Sequence, residues 1–264
     1  MTPYIPLGYL DLALGALLVL ADAGLSVALR LGLERQILIA ACRMVVQLGL
    51  MGMVLTTLFS LVSPGWTLLA ASVMIGFAGY EVASRQDKKL KGGWNWGIGI
   101  GSLSISAIAV SLFGLLTALA PHPWYDPHYA LPLLGMILGN AMTGIALGLN
   151  TLTTGVSQRR SAVEAQLMLG ATRTQALRPI VRHAIKTALT PIVNSMSATG
   201  IVAIPGMMTG QILGGVPPDQ AVKYQILIMF LIAGTIGFGA IGAVLAGARR
   251  LTDSRHRLRL DRLR

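Results

Sequence analysis

Seven stretches of the chain are apolar almost throughout, each close to the ~20 residues a helix needs to cross a bilayer. They run near Ile5–Leu29, Ile37–Val62, Trp66–Ala83, Trp96–Leu119, Leu131–Thr153, Thr187–Ile204 and Tyr224–Ala248. The sixth is short, richer in polar residues and interrupted by Pro191. The pattern predicts an all-α fold, a polytopic transmembrane helical bundle of about seven spans, organised as a single domain over residues 1–264.

Two connecting segments are long enough to have character of their own. Pro121–Ala130 carries Trp124, Tyr125 and Tyr129, residues suited to a membrane–water interface. Pro205–Lys223 contains Gly206, Gly210, Gly214 and Gly215, which lower helix propensity, and ends on the stop Pro217-Pro218. Yet Met207, Met208, Ile212 and Leu213 make it too apolar for a solvated loop. It reads as a re-entrant or broken-helix element covered by protein or lining a cavity.

Charge adds an orientation. With the N-terminus outside and seven spans, every basic residue except Lys223 falls on inner segments or in the tail 249–264. Six or eight spans would put a basic cluster on the wrong side. The expectation is N-terminus outside and C-terminus inside. The net charge of +11 therefore belongs to membrane flanks and does not call for a nucleic-acid partner. With 54% hydrophobic and 12% charged residues, the chain lacks the charged surface of a soluble domain. Cys42 is alone, so no internal disulfide forms, and the first twelve residues carry no Lys or Arg, so the N-terminal stretch reads as a retained helix.

The segment Ser157–Lys186 is too charged to span and helical in pattern. Ala162, Ala165, Leu167, Met168 and Leu169 form an apolar stripe, Gly170 suits a helix C-cap, and Thr172 suits the N-cap of a second helix. Helix, glycine turn, helix can dock in a groove of a soluble partner or lie on anionic lipid. Within the spans, Asp11, Asp22, Arg43 and the i,i+4 pair Glu81/Arg85 are ionisable. Asn140, Thr143, Asn194, Ser195 and Gln211 serve either interhelical hydrogen bonds or a solute pathway. The methionines, Met207 and Met208 among them, read first as core filling. His122, Asp126 and His128 match no recognisable metal site, and no G-x4-G-K-[ST] phosphate loop occurs.

Glu164, Ala165 and Gly170 fit the spacing E-A-x4-G, which resembles the coupling motif of ABC permeases. LGMILGNAMTG at Leu134–Gly144, GIVAIPGMMTGQ at Gly200–Gln211 and YQILIM at Tyr224–Met229 are similar to the FetB family, bacterial iron-export permeases and plant permeases linked to aluminium tolerance. That resemblance implies a multi-pass permease of the cell membrane, in bacteria the inner membrane, that exports metal ions, iron first. It implies a homodimer with two separate ATPase subunits that bind the ATP, and no cofactor or catalytic site in this chain. Glu164, Ala165 and Gly170 would meet the ATPase. Asn140, Thr143, Asn194, Ser195, Met207, Met208, Thr209 and Gln211 would line the pathway. Export of a sugar nucleotide or other small solute, an ATPase-independent secondary transporter and a membrane docking scaffold are the alternatives.

Overall fold

The structure, a computed structural model, describes residues 8–253 and 255–263. The start of the first apolar stretch, Ile5–Leu7, and Arg264 of the basic tail lie outside these. The chain packs as two compact units that divide between Val62 and Ser63.

The first unit is a helical hairpin of α1 (Tyr9–Ala28) and α2 (Glu34–Leu61). Asp11 accepts a hydrogen bond from Gly8 N at 2.8 Å, a helix-start role for an acid the sequence left unassigned. Asp22 is exposed within this unit, in the last two turns of α1. At the turn, the buried Ser26 hydroxyl accepts from Leu33 N and donates to Glu34 Oε2, both at 3.0 Å. One small side chain thus satisfies the end of one helix and the start of the next.

The second unit contains α3 (Pro64–Ser84), α4 (Trp94–Phe113), α5 (Pro127–Gln158), α6 (Arg160–Met168), α7 (Arg173–Ala198), α8 (Gly206–Leu213) and α9 (Pro218–Arg250). A π-helical turn, Gly114–Leu119, continues α4. Its core is built around α5, whose Ile137, Ala141, Ile145, Leu152 and Val156 are fully buried. The helices approach closely because glycines remove side-chain bulk where backbones meet, the usual device when lipid supplies no hydrophobic drive between helices. A Cβ added at Gly144 would lie 2.7 Å from Ile236 Cγ2, and one at Gly239 2.6 Å from Ile145 Cδ1. The same contacts fix direction. Gly144 meets Ile236 and Gly247 meets Leu152, so α5 and α9 run parallel. Gly148 meets Ala188 and Gly155 meets Ile180, so α7 runs back between them. Residues of α3 meet α5 in rising order on both helices, Met74 against Gly135 and Arg85 against Thr143, whereas α4 opposes α3 through Gly79–Ile100 and Gly99–Val82.

Six described helical segments are long and apolar enough to cross a membrane: α1, α2, α3, α4 with its π turn, α5 and α9. The sixth sequence candidate falls in the second half of α7, too polar to join them by composition. It nevertheless runs antiparallel to α5, passing from Gly148 beside Ala188 to Asn140 beside Ser195. Pro191 does not interrupt it: α7 is continuous through both Pro179 and Pro191 and ends at Ala198 rather than Ile204. Proline in a bundle helix removes one ladder bond, which neighbouring helices and local adjustment make tolerable.

The basic tail folds back on the body. Leu251 is fully buried, Arg259 N donates to Leu251 O at 2.8 Å, and Lys91 N donates to Arg262 O at 2.8 Å. Arg250 stacks over the Trp94 ring at 4.6 Å. The Arg259 fork grips Asp261 with two 2.9 Å bonds and holds that carboxyl down to about 2.

Candidate functional site: a polar seam and an exposed turn

The polar residues of α5 recur on one face. Asn140, Thr143, Asn150, Thr151, Thr154 and Gln158 follow one another at helical spacing, over about 27 Å at 1.5 Å per residue. Two cavities open along this face. One, of about 130 Å3, is bordered by Asn140, Thr143, Pro191 and Ser195. The other, of about 290 Å3, is bordered by Asp87, Asn150, Thr154, Gln158 and His183. Both lie where α7 passes α5, so the seam is bounded by α5 on one side and α7 on the other.

Helix α3 closes it from a third direction. Arg85 Nη1 donates to Thr143 Oγ1 at 3.4 Å while its Nε lies 3.4 Å from Glu81 Oε2. Further along, Asp87 N donates to Asn150 Oδ1 at 3.1 Å and Asn150 Nδ2 donates to Asp87 Oδ2 at 3.0 Å. The Lys88 ammonium donates to the Ser157 hydroxyl. The seam therefore offers hydroxyl and carboxamide oxygens, with the Glu81/Arg85 pair at the level of Thr143 and the charged groups Asp87, Lys88 and Arg159 at its far end.

Among residues expected to line a pathway, the structure brings Asn140, Thr143 and Ser195 together. Asn194, one residue before Ser195, does not border that cavity and is exposed. The segment after α7 does make a helix, the eight-residue α8, so its glycines interrupt rather than prevent helix formation. Its end is a two-bond turn, with Gly215 N on Ile212 O and Val216 N on Gln211 O, and Gly215 at φ +90°. Met207, Met208, Gln211 and Ile212 share its half-buried face, and Gln211 Oε1 is buried without a hydrogen-bond partner. Thr209 lies on the opposite, exposed face, its hydroxyl donating to Pro205 O at 3.2 Å. The Met207–Gln211 stretch is thus a helix packed on α9, with Thr209 turned away from that packing. The sequence reading paired Glu81 with Arg85 but missed their approach to Thr143. It also missed the cavity formed by Asn150, Thr154 and His183. The spacing of polar residues along α5 was the available signal for the second.

The exposed turn lies at one end of the seam. Helix α5 runs on to Gln158, and α6 follows after a single residue. Helix α6 buries Val163 and half-buries Leu167 against the body. Its packed side is therefore not the whole stripe expected from sequence, and Met168 and Leu169 are left 82% and 88% exposed. Glu164 pairs with Arg160 on its own helix at 2.9 Å, and Ala165 is exposed. Gly170, at φ +89°, closes a Schellman turn in which Gly170 N donates to Leu167 O at 3.1 Å and Ala171 N to Gln166 O at 3.0 Å. Thr172 then caps α7 in a reciprocal box with Gln175: Gln175 N donates to Thr172 Oγ1 at 3.3 Å and Thr172 N to Gln175 Oε1 at 2.9 Å.

The loop before α5 holds no metal geometry. Asp126 caps α5 and accepts from both His128 N at 2.9 Å and His128 Nδ1 at 2.8 Å. The His128 backbone bond holds its carboxyl below the usual range. No group of three potential ligands among His, Cys, Asp and Glu assembles among the described residues.

Residues 9–252 match the model of the UPF0014 family, described as an uncharacterised protein family. A UPF0014 membrane protein of Synechocystis sp. is 39% identical over 86% of this chain and 86% of its own. The Escherichia coli probable iron export permease protein FetB is 33% identical over 96% of each. The Arabidopsis thaliana protein ALUMINUM SENSITIVE 3 is 32% identical over 89% of this chain and 84% of its own. No solved structure matches the chain.

Proposed function

The chain belongs to the UPF0014 family of membrane permeases, and from that premise we propose that it is the membrane subunit of an ABC transporter that exports metal ions, iron first. A separate ATPase subunit binds and hydrolyses the ATP. The observation that carries this reading is the continuity of α7. One unbroken helix of 26 residues joins the exposed turn at Gly170 to the seam at Pro191 and Ser195.

Such a rod does two things. Its outer end, with Met168 and Leu169 uncovered beside a rigid glycine turn, offers a partner an apolar knob of fixed shape. Its inner part forms one wall of the polar seam, so a displacement of the knob moves that wall against α5. Pro179 and Pro191 leave the carbonyls of Gln175 and Thr187 without their ladder donors, which makes these the two places where the rod would bend most easily. The seam's hydroxyl and carboxamide oxygens, with the Asp87 carboxylate at one end, suit a hard ion that must be held weakly enough to leave. Iron comes into the proposal from the name of the Escherichia coli relative. A second reading, export of a phosphate-bearing solute such as a sugar nucleotide, is favoured by one observation, the Arg85 guanidinium on Thr143.

The test is reconstitution of the chain with its ATPase in proteoliposomes. Stimulation of ATP hydrolysis by ferrous ions supports the first reading, and stimulation by a sugar nucleotide the second. Solute movement driven by an ion gradient with no ATPase present would overturn both.

A further inference from the structure

At the basic end of the second unit, α7 and α9 diverge around a cavity of about 190 Å3. Arg173, Arg178 and Arg249 border it together with Leu177, Val181 and Leu245. Neither Arg178 nor Arg249 has a carboxylate partner among the described residues. Arg173 is held in place by the tail: its backbone N donates to His256 Nδ1 at 3.1 Å and its guanidinium to Asp253 O at 3.3 Å. The nearby Asp253 carboxylate is engaged by the Arg255 and Arg257 amides at 3.0 and 2.8 Å.

The lining is graded. Helix α7 leaves the basic end at Arg173 and reaches Val181 two turns further in. Helix α9 arrives from within at Leu245 and reaches Arg249 at the same end, with Thr252 just beyond it. Charge gathers at the mouth and hydrocarbon at depth, with Arg178 long enough to reach outward. Beyond the cavity the apolar lining continues along α9, where Phe238, Ile241 and Leu245 are exposed on the face that ends in Arg249.

We infer that this cavity binds an anionic phospholipid of the leaflet at the basic end. Its phosphate is held by Arg173, Arg178 and Arg249, and an acyl chain lies along Leu245, Ile241 and Phe238. Unpaired guanidiniums at a helix junction recognise a phosphate diester, and the graded lining matches the two halves of a phospholipid rather than a soluble anion. Arg173 follows Thr172 at the capped turn, so the lipid braces the start of the coupling rod.

The full chain, purified in neutral detergent, is unfolded thermally with phosphatidylglycerol, phosphatidylcholine or inorganic phosphate; no ATPase is needed. Phosphatidylglycerol well above its Kd raises Tm by at least about 3 °C, and the other two do not. The rise disappears in R178Q/R249Q and persists in R255Q/R257Q, which removes equal charge from the tail. An equal rise with phosphatidylcholine or phosphate, or an undiminished rise in R178Q/R249Q, overturns the proposal. So does a Tm that follows protein concentration and ignores lipid, the mark of a second copy in the groove. If R178Q/R249Q does not fold, a photoreactive phosphatidylglycerol on the native chain decides: adducts within 173–182 or 238–252 sustain the site, and adducts confined elsewhere refute it.

Discussion

Gly170 has nothing within 4 Å of the position a Cβ would occupy, so its constraint is purely conformational. At φ +89° an L-residue is strained by about 1–2 kcal/mol, more if β-branched. Gly170→Val should therefore reduce ATPase co-purification by roughly tenfold or more, since 1.4 kcal/mol is a factor of ten. Gly170→Asn, which tolerates the left-handed region, should retain most of it. Circular dichroism of both variants should stay native. Equal co-purification by the native chain and Gly170→Val would remove the turn from the coupling contact. A second residue prediction concerns Thr143. Its hydroxyl accepts from Arg85, and Thr143→Val frees that guanidinium, exposed on the seam, from its tie to α5. Transport should fall several-fold in proteoliposomes, and Thr143→Ser should restore it. The glycine requirement was legible in the sequence because a stop after an apolar helical stripe is a local signal. The Arg85–Thr143 contact was not, because it joins residues 58 apart through the packing of two helices.

At the scale of elements, α6 separates what it buries from what it offers. Val163 and Leu167 attach it to the body, while Met168 and Leu169 are free of the fold. Each contributes about 1.5–3 kcal/mol if fully covered by a partner. The double change M168D/L169D should weaken ATPase binding by at least about a hundredfold, read by pull-down titration, without altering thermal stability. Changing Val163 to Asp should instead lower Tm, because it charges the packed face. The α5/α7/α9 junction makes the opposite demand. Gly144→Val places a methyl-bearing side chain against Ile236 and within 3.3 Å of the Ala188 carbonyl. Overpacking of about 1–3 kcal/mol should cost several degrees of Tm. The sequence foresaw α6, the glycine turn and the α7 cap, all carried by local spacing. It did not foresee that α7 continues through Pro191, because proline's local cost is offset by neighbours on α5 and α9 that no spacing reveals. Nor did it foresee the docked tail, whose basic composition reads as solvated while its backbone bonds to Lys91 and Leu251 are nonlocal.

At the scale of the whole molecule, the parallel course of α3, α5 and α9 decides where charge collects. Each of the three ends on basic residues: Arg85 to Lys89, Arg159 and Arg160, and Arg249 and Arg250. Parallel helices bring these ends to one side of the second unit, and α7, which runs back, contributes Arg173, Arg178 and Arg182 at its start. Direct bonds tie the side together: Lys88 to Ser157, Lys91 to Arg262, Arg173 to His256. Lys223 lies at the opposite end of α9, where it faces Asp219 on its own helix at 3.8 Å. The positive-inside bias then predicts one sidedness for the entire unit, basic side inward, since no single helix can be reversed without breaking the α5–α7–α9 packing. Single cysteines placed at 88 and 173 in a Cys42→Ser background should resist a membrane-impermeant maleimide in intact cells and react after permeabilisation. Cysteines at 126 and 219 should react in intact cells. Labelling of 88 or 173 from outside, with 219 protected, would invert the orientation and place the Gly170 turn where no cytoplasmic ATPase can reach it.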